Sequence, residues 1–179
     1  MPRQLNIESI KDKIPVRYRI HLVARLTMIA FALAIAGYSI FFLFSFVRAD
    51  TPLFYKILPL VICFVGVDSL LKHLLTLNSI TFYEDHLRMG YLAKAGLDIP
   101  YQNMISMELN KKITFYLHLT YRDEKGETNL FRVKGSFPKI LEIILGLYEL
   151  VPQLTLDPKM QKTCEYLQEA SRAGQGTAE

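Results

Sequence analysis

Residues 26–47 read LTMIAFALAIAGYSIFFLFSFV, a run of 22 residues without a charged side chain. At about 1.5 Å per residue this run forms a helix of about 33 Å, long enough to cross a hydrocarbon layer of about 30 Å. A second apolar stretch follows from about Leu53 to Leu75. A cleaved signal core has only about 7–15 apolar residues and ends at small residues, which does not fit residues 26–47. The two stretches predict a transmembrane helical hairpin.

The distribution of charge predicts the orientation of this hairpin. Residues 1–25 hold six Lys/Arg and two Asp/Glu, a net charge of +4, whereas residues 79–150 hold nine of each. The connection between the two apolar stretches, counted with the first residues of the second, has only Arg48 and Lys56 as cations. Because basic residues stay on the cytoplasmic side, we expect both termini in the cytoplasm of a cell whose inner membrane the hairpin spans twice.

The chain then divides linearly into four parts. We expect a cytoplasmic juxtamembrane segment at 1–25, the hairpin at 26–77, a folded domain at 78–150, and a short helix with a disordered tail at 151–179. The stretch 16–22 has two interpretations. In the first it is a strand, because its apolar and polar residues alternate.

The same stretch is equally readable as the start of the first membrane helix. In that interpretation, which we favour, Arg17, Arg19 and Arg25 are membrane-surface residues whose long side chains reach the lipid headgroups.

From Ser79 onward the pattern changes to strict alternation, the period of a strand. The clearest segment is 113–121, in which apolar residues alternate with Thr114, Tyr116, His118 and Thr120. Five turns, among them those at 84–85, 94–96 and 122–126, separate six such segments, which predicts an antiparallel meander. A strongly apolar helix, opened by Pro138 and capped by Ser136, follows to Leu150 and must cover the sheet.

This order of elements resembles a known family. The stretches 80–88 (ITFYEDHLR) and 97–109 (LDIPYQNMISMEL) resemble the bacterial pleckstrin-homology-like (PH-like) domains of small membrane-anchored proteins. The resemblance covers about residues 79–150 and implies an α+β membrane protein. In such a protein the N-terminal transmembrane hairpin is followed by a small PH-like antiparallel β-barrel or sheet, capped by a C-terminal helix. It further implies scaffolding and complex assembly rather than catalysis, through protein–protein interaction.

No catalytic, cofactor-binding or metal-binding residues are predicted. The four histidines fall on different elements, and Cys63 and Cys164 are not spaced as a redox or zinc motif. Phosphate-binding glycine loops and hydrolase motifs are absent from the sequence. With no Trp and no stripe of alternating basic and aromatic residues, nucleic acid is not an expected partner.

Asp68 is the one carboxylate within the second apolar stretch. A charged residue there is costly and is therefore a functional candidate. Lys72 lies one helical turn later, so the two form a predicted intramembrane polar pair. A local ion pair is the interpretation we favour, and a contact with the membrane helix of a partner subunit is the alternative.

Phosphoinositide binding by the domain requires several cations that converge on phosphate oxygens. The weak candidates are Arg88, Lys94, Lys111 and Lys112, and acidic residues lie among them in a domain of zero net charge. We therefore expect no strong phosphoinositide binding.

Two functions from different classes remain. The first is a non-catalytic scaffold or assembly subunit whose partners are the bilayer and other membrane protein subunits. The second is an accessory subunit of a membrane enzyme or transporter, in which Asp68 and the juxtamembrane arginines lie near the working site.

Overall fold

The computed structural model describes residue 10, residues 13–111 and residues 114–175. The chain divides into two compact units. The helical unit contains residues 19–78 and 90–95, and the sheet unit contains the residues before 19 together with 79–89 and those from 96 onward. The segment 16–18 therefore belongs with strands that follow the two long helices, not with the helix that comes directly after it.

The helical unit consists of two long antiparallel helices, α1 (Leu22–Phe46) and α2 (Leu53–Leu75). Both are long and apolar enough to cross a membrane. Fewer than one in five of their most apolar residues is buried, and Phe44 is 87% exposed. A core helix of a water-soluble protein would bury such side chains, so this surface supports the membrane expectation.

The helices pack through small residues. Gly66 of α2 is buried, and a β-carbon at this position would lie 3.2 Å from Ala36 N and 3.3 Å from Ala32 O of α1. Small residues at such a crossing allow the two backbones to approach closely.

A larger side chain at Gly66 will therefore force the helices apart. We expect Gly66→Leu to destabilise the hairpin by about 2 kcal/mol, since overpacking of a close contact typically costs 1–3 kcal/mol. Unfolding in mixed detergent micelles measures this cost. Gly37→Leu is the control, because a β-carbon at Gly37 meets nothing within 4 Å. Equal stability of the two variants would contradict the packing argument.

A hydrogen bond to a side chain closes the turn between the helices. The Thr51 hydroxyl accepts it from Arg48 N–H at 2.9 Å. Pro52 precedes the first residue of α2, and its side chain makes no capping hydrogen bond. Pro59 lies inside α2 and is buried.

The described residues form eight strands: β1 (Val16–Arg19), β2 (Ser79–Phe82), β3 (His86–Gly90), β4 (Leu97–Pro100), β5 (Met104–Lys111), β6 (Phe115–Arg122), β7 (Thr128–Lys134) and β8 (Thr155–Leu156). These strands make two four-stranded sheets. In the first sheet the strands follow the order β1, β2, β3, β4, and in the second the order is β7, β6, β5, β8. A 3₁₀ turn at Tyr101–Asn103 joins the two sheets.

The α+β class is confirmed, but two details of the predicted sheet are wrong. The described strands form no closed barrel, because β4 and β7 each end a sheet. Nor is the sheet a purely antiparallel meander, since β8 pairs with β5 in parallel, with Ser106 opposite Thr155. Both features depend on strands that are distant in sequence.

The favoured interpretation of residues 16–22 is also wrong. Val16–Arg19 form β1, next to β2, and α1 begins only at Leu22. Tyr18 is buried there and its ring meets the edge of the Phe82 ring, with centroids 6.1 Å apart. This contact joins residues more than sixty positions apart, which local periodicity does not reveal.

The core of the sheet unit is closed by two helices, α3 (Ile140–Leu150) and α4 (Pro158–Gln175). Residues 142–147 are all buried, so α3 is covered on every side rather than on a single face. The N-cap of α3 is Lys139 in a left-handed conformation, not Ser136. In α4 the buried residues Met160, Cys164 and Leu167 face the core, and burial raises the pKa of the Cys164 thiol to about 11.

The helix α4 is longer than the short helix predicted for 151–179. It continues through Gln175, so residues 173–175, predicted to be disordered, are helical. The last four residues, 176–179, lie outside the described residues.

Candidate functional site

The densest polar cluster of the helical unit surrounds Arg25. This side chain is 4% exposed, although Arg25 lies in the first turn of an apolar helix. Its guanidinium donates to the carbonyl oxygens of His73 at 2.8 Å, Thr76 at 2.7 Å and Leu77 at 3.0 Å. It also donates to Thr76 Oγ1 at 2.8 Å and to Asn78 Oδ1 at 3.2 Å.

The carbonyl acceptors lie at the end of α2 or directly after it, since His73 is in the last turn, Thr76 is the C-cap and Leu77 follows. The last carbonyls of a helix have no partner within that helix, and the helix dipole adds negative partial charge there. The fork of donors on Arg25 satisfies the end of α2 and fastens the two helices together where the hairpin opens. Arg25 therefore serves as the cap of the other helix, a position that differs from the exposed, headgroup-facing one expected from the sequence.

The predicted polar pair, Asp68 and Lys72, lies in α2 directly before His73. Lys72 Nζ is 2.5 Å from Asp68 Oδ2, and both side chains are substantially exposed, at 70% and 46%. An exposed i,i+4 pair contributes only about 0.3–0.5 kcal/mol in water. Within a low-dielectric environment the same pairing keeps either charge from standing alone.

Among the described residues, three of the other predicted cations have different neighbours. Arg17 Nη2 lies 3.5 Å from Ser79 Oγ, whereas Arg88 Nε is 3.6 Å from Asp98 Oδ1. Lys94 belongs to the helical unit, with its Nζ 5.3 Å from the centroid of the Tyr91 ring. Three further cations complete the predicted set: Arg19 is exposed on β1, Lys111 ends β5, and Lys112 lies outside the described residues.

A groove of about 470 Å³ lies on the sheet unit. Its lining holds four carboxylates, those of Asp85, Asp98, Asp123 and Glu124, against two cations, Arg122 and Lys125. His86 Nδ1 lies 2.6 Å from Asp85 Oδ1, and this bond lowers the pKa of the Asp85 carboxyl. Such a lining disfavours anionic ligands at this groove.

Tyr101 is held within the sheet unit by two hydrogen bonds. Its hydroxyl donates to the Tyr83 carbonyl at 2.7 Å, and its N–H donates to the Asp85 carbonyl at 3.0 Å. Burial raises the pKa of Tyr101 well above its usual range, and the charge of Asp85 adds to this effect. The neutral phenol is therefore the form that the folded unit requires.

Alkaline solution should test this requirement. Because the folded pKa of Tyr101 lies above the unfolded value of about 10, its contribution to stability is complete below pH 10 and is lost as pH rises further. We expect Tyr101→Phe to cost about 1 kcal/mol at pH 8, since it removes one hydrogen bond. The variant should then lose less stability than the wild type between about pH 9.5 and pH 11. Chemical unfolding of the two proteins at about pH 8, 9.5 and 11 measures the cost of the substitution and the loss of stability at high pH. Equal losses of stability in the two proteins between about pH 9.5 and pH 11 would refute the assignment.

The second sheet carries a polar face that sequence reasoning did not single out. We call it the polar sheet face: the side chains of β5, β6 and β7 that point away from the buried residues Met107, Leu117, Leu119 and Val133. His118 lies between Glu108 and Arg132, and Tyr116 lies between Asn110 and Lys134. The face consists of Glu108, Asn110, Tyr116, His118, Thr120, Arg122, Leu130, Arg132 and Lys134.

This face has an excess of positive charge. Arg122, Arg132 and Lys134 are exposed, and within the described part of the chain none of them forms an ion pair. Glu108 is the one carboxylate among the residues of the face. The alternation of 114–120 and of 128–134 contains this signal, but which strands lie side by side is evident only from the sheet order.

The described residues contain no group of three or more His, Cys, Asp or Glu side chains that could hold a metal ion. Comparison of the chain with protein-family models, with curated proteins and with solved structures finds no match.

Proposed function

We propose that this protein is a non-catalytic, membrane-anchored scaffold or assembly subunit of a membrane protein complex. In this proposal the hairpin of α1 and α2 spans the inner (cytoplasmic) membrane and packs against the helices of other membrane subunits. The sheet unit is a PH-like domain on the cytoplasmic side, where both termini also lie, and it binds a partner protein.

The observation that carries this proposal is the exposure of the apolar helix surfaces. Leu53, Phe54 and Phe64 on α2 are each more than 60% exposed, as is Phe31 on α1. In water these side chains would drive aggregation, whereas lipid or a neighbouring helix satisfies them.

The sheet unit supports the second half of the proposal. Seven strands in two sheets, β1 to β7, precede the buried helix α3, and this order is compatible with a PH-like arrangement. The polar sheet face carries the exposed cations Arg122, Arg132 and Lys134, and such a face is suited to a protein partner.

The test combines topology with composition of the complex. Reporter fusions after Glu179 and within the turn at Arg48–Thr51 should give cytoplasmic and non-cytoplasmic signals, respectively. Extraction of the full chain in mild detergent, followed by mass spectrometry, should recover stable membrane subunits. An external C-terminus, or a chain that is released from membranes by carbonate, would overturn the proposal.

A role as accessory subunit of a membrane enzyme or transporter is the second candidate. The exposed Asp68–Lys72 pair on α2 favours it, because this pair could face a neighbouring subunit. Asp68→Asn distinguishes the candidates: a scaffold should still assemble and accumulate normally, whereas a partner contact through the carboxylate would be lost.

A further inference from the structure

Strand β7 presents a free edge along one side of the second sheet. It ends the order β7, β6, β5, β8, and β6 pairs with it on the other side through all seven residues. Just beyond this pairing, Gly135 N–H donates to Phe115 O at 2.6 Å. Since bonded pairs alternate along an antiparallel ladder, the bonded residues of β7 are 133, 131 and 129.

The intervening residues therefore point their backbone groups outward. These are Leu130, Arg132 and Lys134, of which the Lys134 carbonyl already accepts from Phe137 N–H at 2.9 Å. No other backbone partner for this edge exists among the described residues. A strand with such a row of donors and acceptors is a template for a further strand.

The side chains of β7 define what that further strand must look like. On the polar sheet face, Leu130 is 48% exposed, and Arg132 and Lys134 stand beside it. On the opposite face, Phe131 is half-buried next to the buried Val133. A complementary strand thus needs acidic side chains on one face and apolar side chains on the other.

A second copy of this chain is a poor occupant. Two β7 strands related by a two-fold axis at Phe131 or Arg132 would place two Arg132 side chains diagonal or opposite to each other. Like charges at these positions destabilise a pair of strands. The cations on this edge therefore reject self-association while they favour an acidic partner.

We propose that β7 accepts an extended segment of a partner protein as a fifth strand, and that this segment alternates acidic with apolar residues. The acidic side chains lie beside Arg132 and Lys134, and the apolar ones lie beside Phe131. This inference rests on the proposed function, because it names the kind of partner that the anchored scaffold binds.

The probe is a labelled peptide of alternating glutamate and valine, with seven residues to match β7. It is titrated onto the full chain in phosphatidylcholine nanodiscs, and fluorescence anisotropy is recorded. We expect saturable binding that weakens with salt. Reversal of charge in Arg132→Glu with Lys134→Glu should weaken it by about tenfold or more, since opposite charges on neighbouring strands attract and the reversal makes both pairs repulsive.

Two matched controls separate strand addition from simple charge attraction. Lys159→Glu with Lys162→Glu changes the net charge equally at exposed positions of α4 and should leave binding unchanged. The same peptide with alternate backbone amides N-methylated keeps its charge but loses its donors, and should not bind.

Three results would overturn the inference: no binding of the acidic peptide, equal binding of the methylated peptide, or equal loss of affinity in the α4 control. Loss of peptide binding only in nanodiscs that contain phosphatidylglycerol would assign the cations to anionic lipid, and would also overturn it. Each of these failures leaves the topology and co-purification results intact, so the scaffold proposal is judged separately.

Discussion

Arg25→Met is expected to lower the free energy of unfolding of the helical unit by about 3 kcal/mol, because it removes several hydrogen bonds from a charged donor to part-buried carbonyls, each of which contributes about 1.5–3 kcal/mol. The substitution keeps the length of the side chain but removes every donor to His73, Thr76 and Leu77. Unfolding of the full chain in mixed micelles measures the loss.

Two further variants sharpen this prediction. Arg19→Met removes the same charge from an exposed position in the same unit and should change stability by less than about 0.5 kcal/mol. Arg25→Lys keeps the charge but not the planar fork, and should recover only part of the loss. If Arg25→Met were as stable as Arg19→Met, the guanidinium would not fasten the end of α2.

Leu145→Ala is expected to have the other large effect. This side chain is fully buried in α3, and α3 is covered on every side by the sheet unit. Large-to-small changes in such a core cost about 2–5 kcal/mol, through lost transfer free energy and the cavity that remains. Limited proteolysis and thermal unfolding of the full chain should both report it.

The control for this substitution is Tyr166→Ala on α4. Tyr166 is 61% exposed, so its removal should cost less than about 0.5 kcal/mol. Deletion of residues 137–150 is the stronger form of the test and should unfold the sheet unit. A truncated chain that kept its protease resistance would show that α3 is not part of the core.

Local patterns predicted the elements that depend on neighbouring residues. The apolar run at 26–47 became α1, and the alternation at 113–121 became β6. In both cases the pattern of apolar residues within a single segment reflects the surroundings of that segment. The type of element can therefore be predicted from the segment alone.

Contacts between distant residues were not predictable in this way. The acceptors of Arg25 lie about fifty positions away, at the end of another helix. The strand at Val16–Arg19 is recognisable only once its neighbour β2 is known. The free edge of β7 follows from the order of strands, which a chain of six alternating segments leaves open.

The position of β1 has a consequence for biosynthesis. This strand leaves the ribosome before α1, but its neighbour in the sheet, β2, is made only after α2 is complete. β1 therefore stays unpaired while about sixty further residues, including both apolar helices, are synthesised. A fragment that starts at residue 78 would lack this strand and would expose the flank of β2 to aggregation.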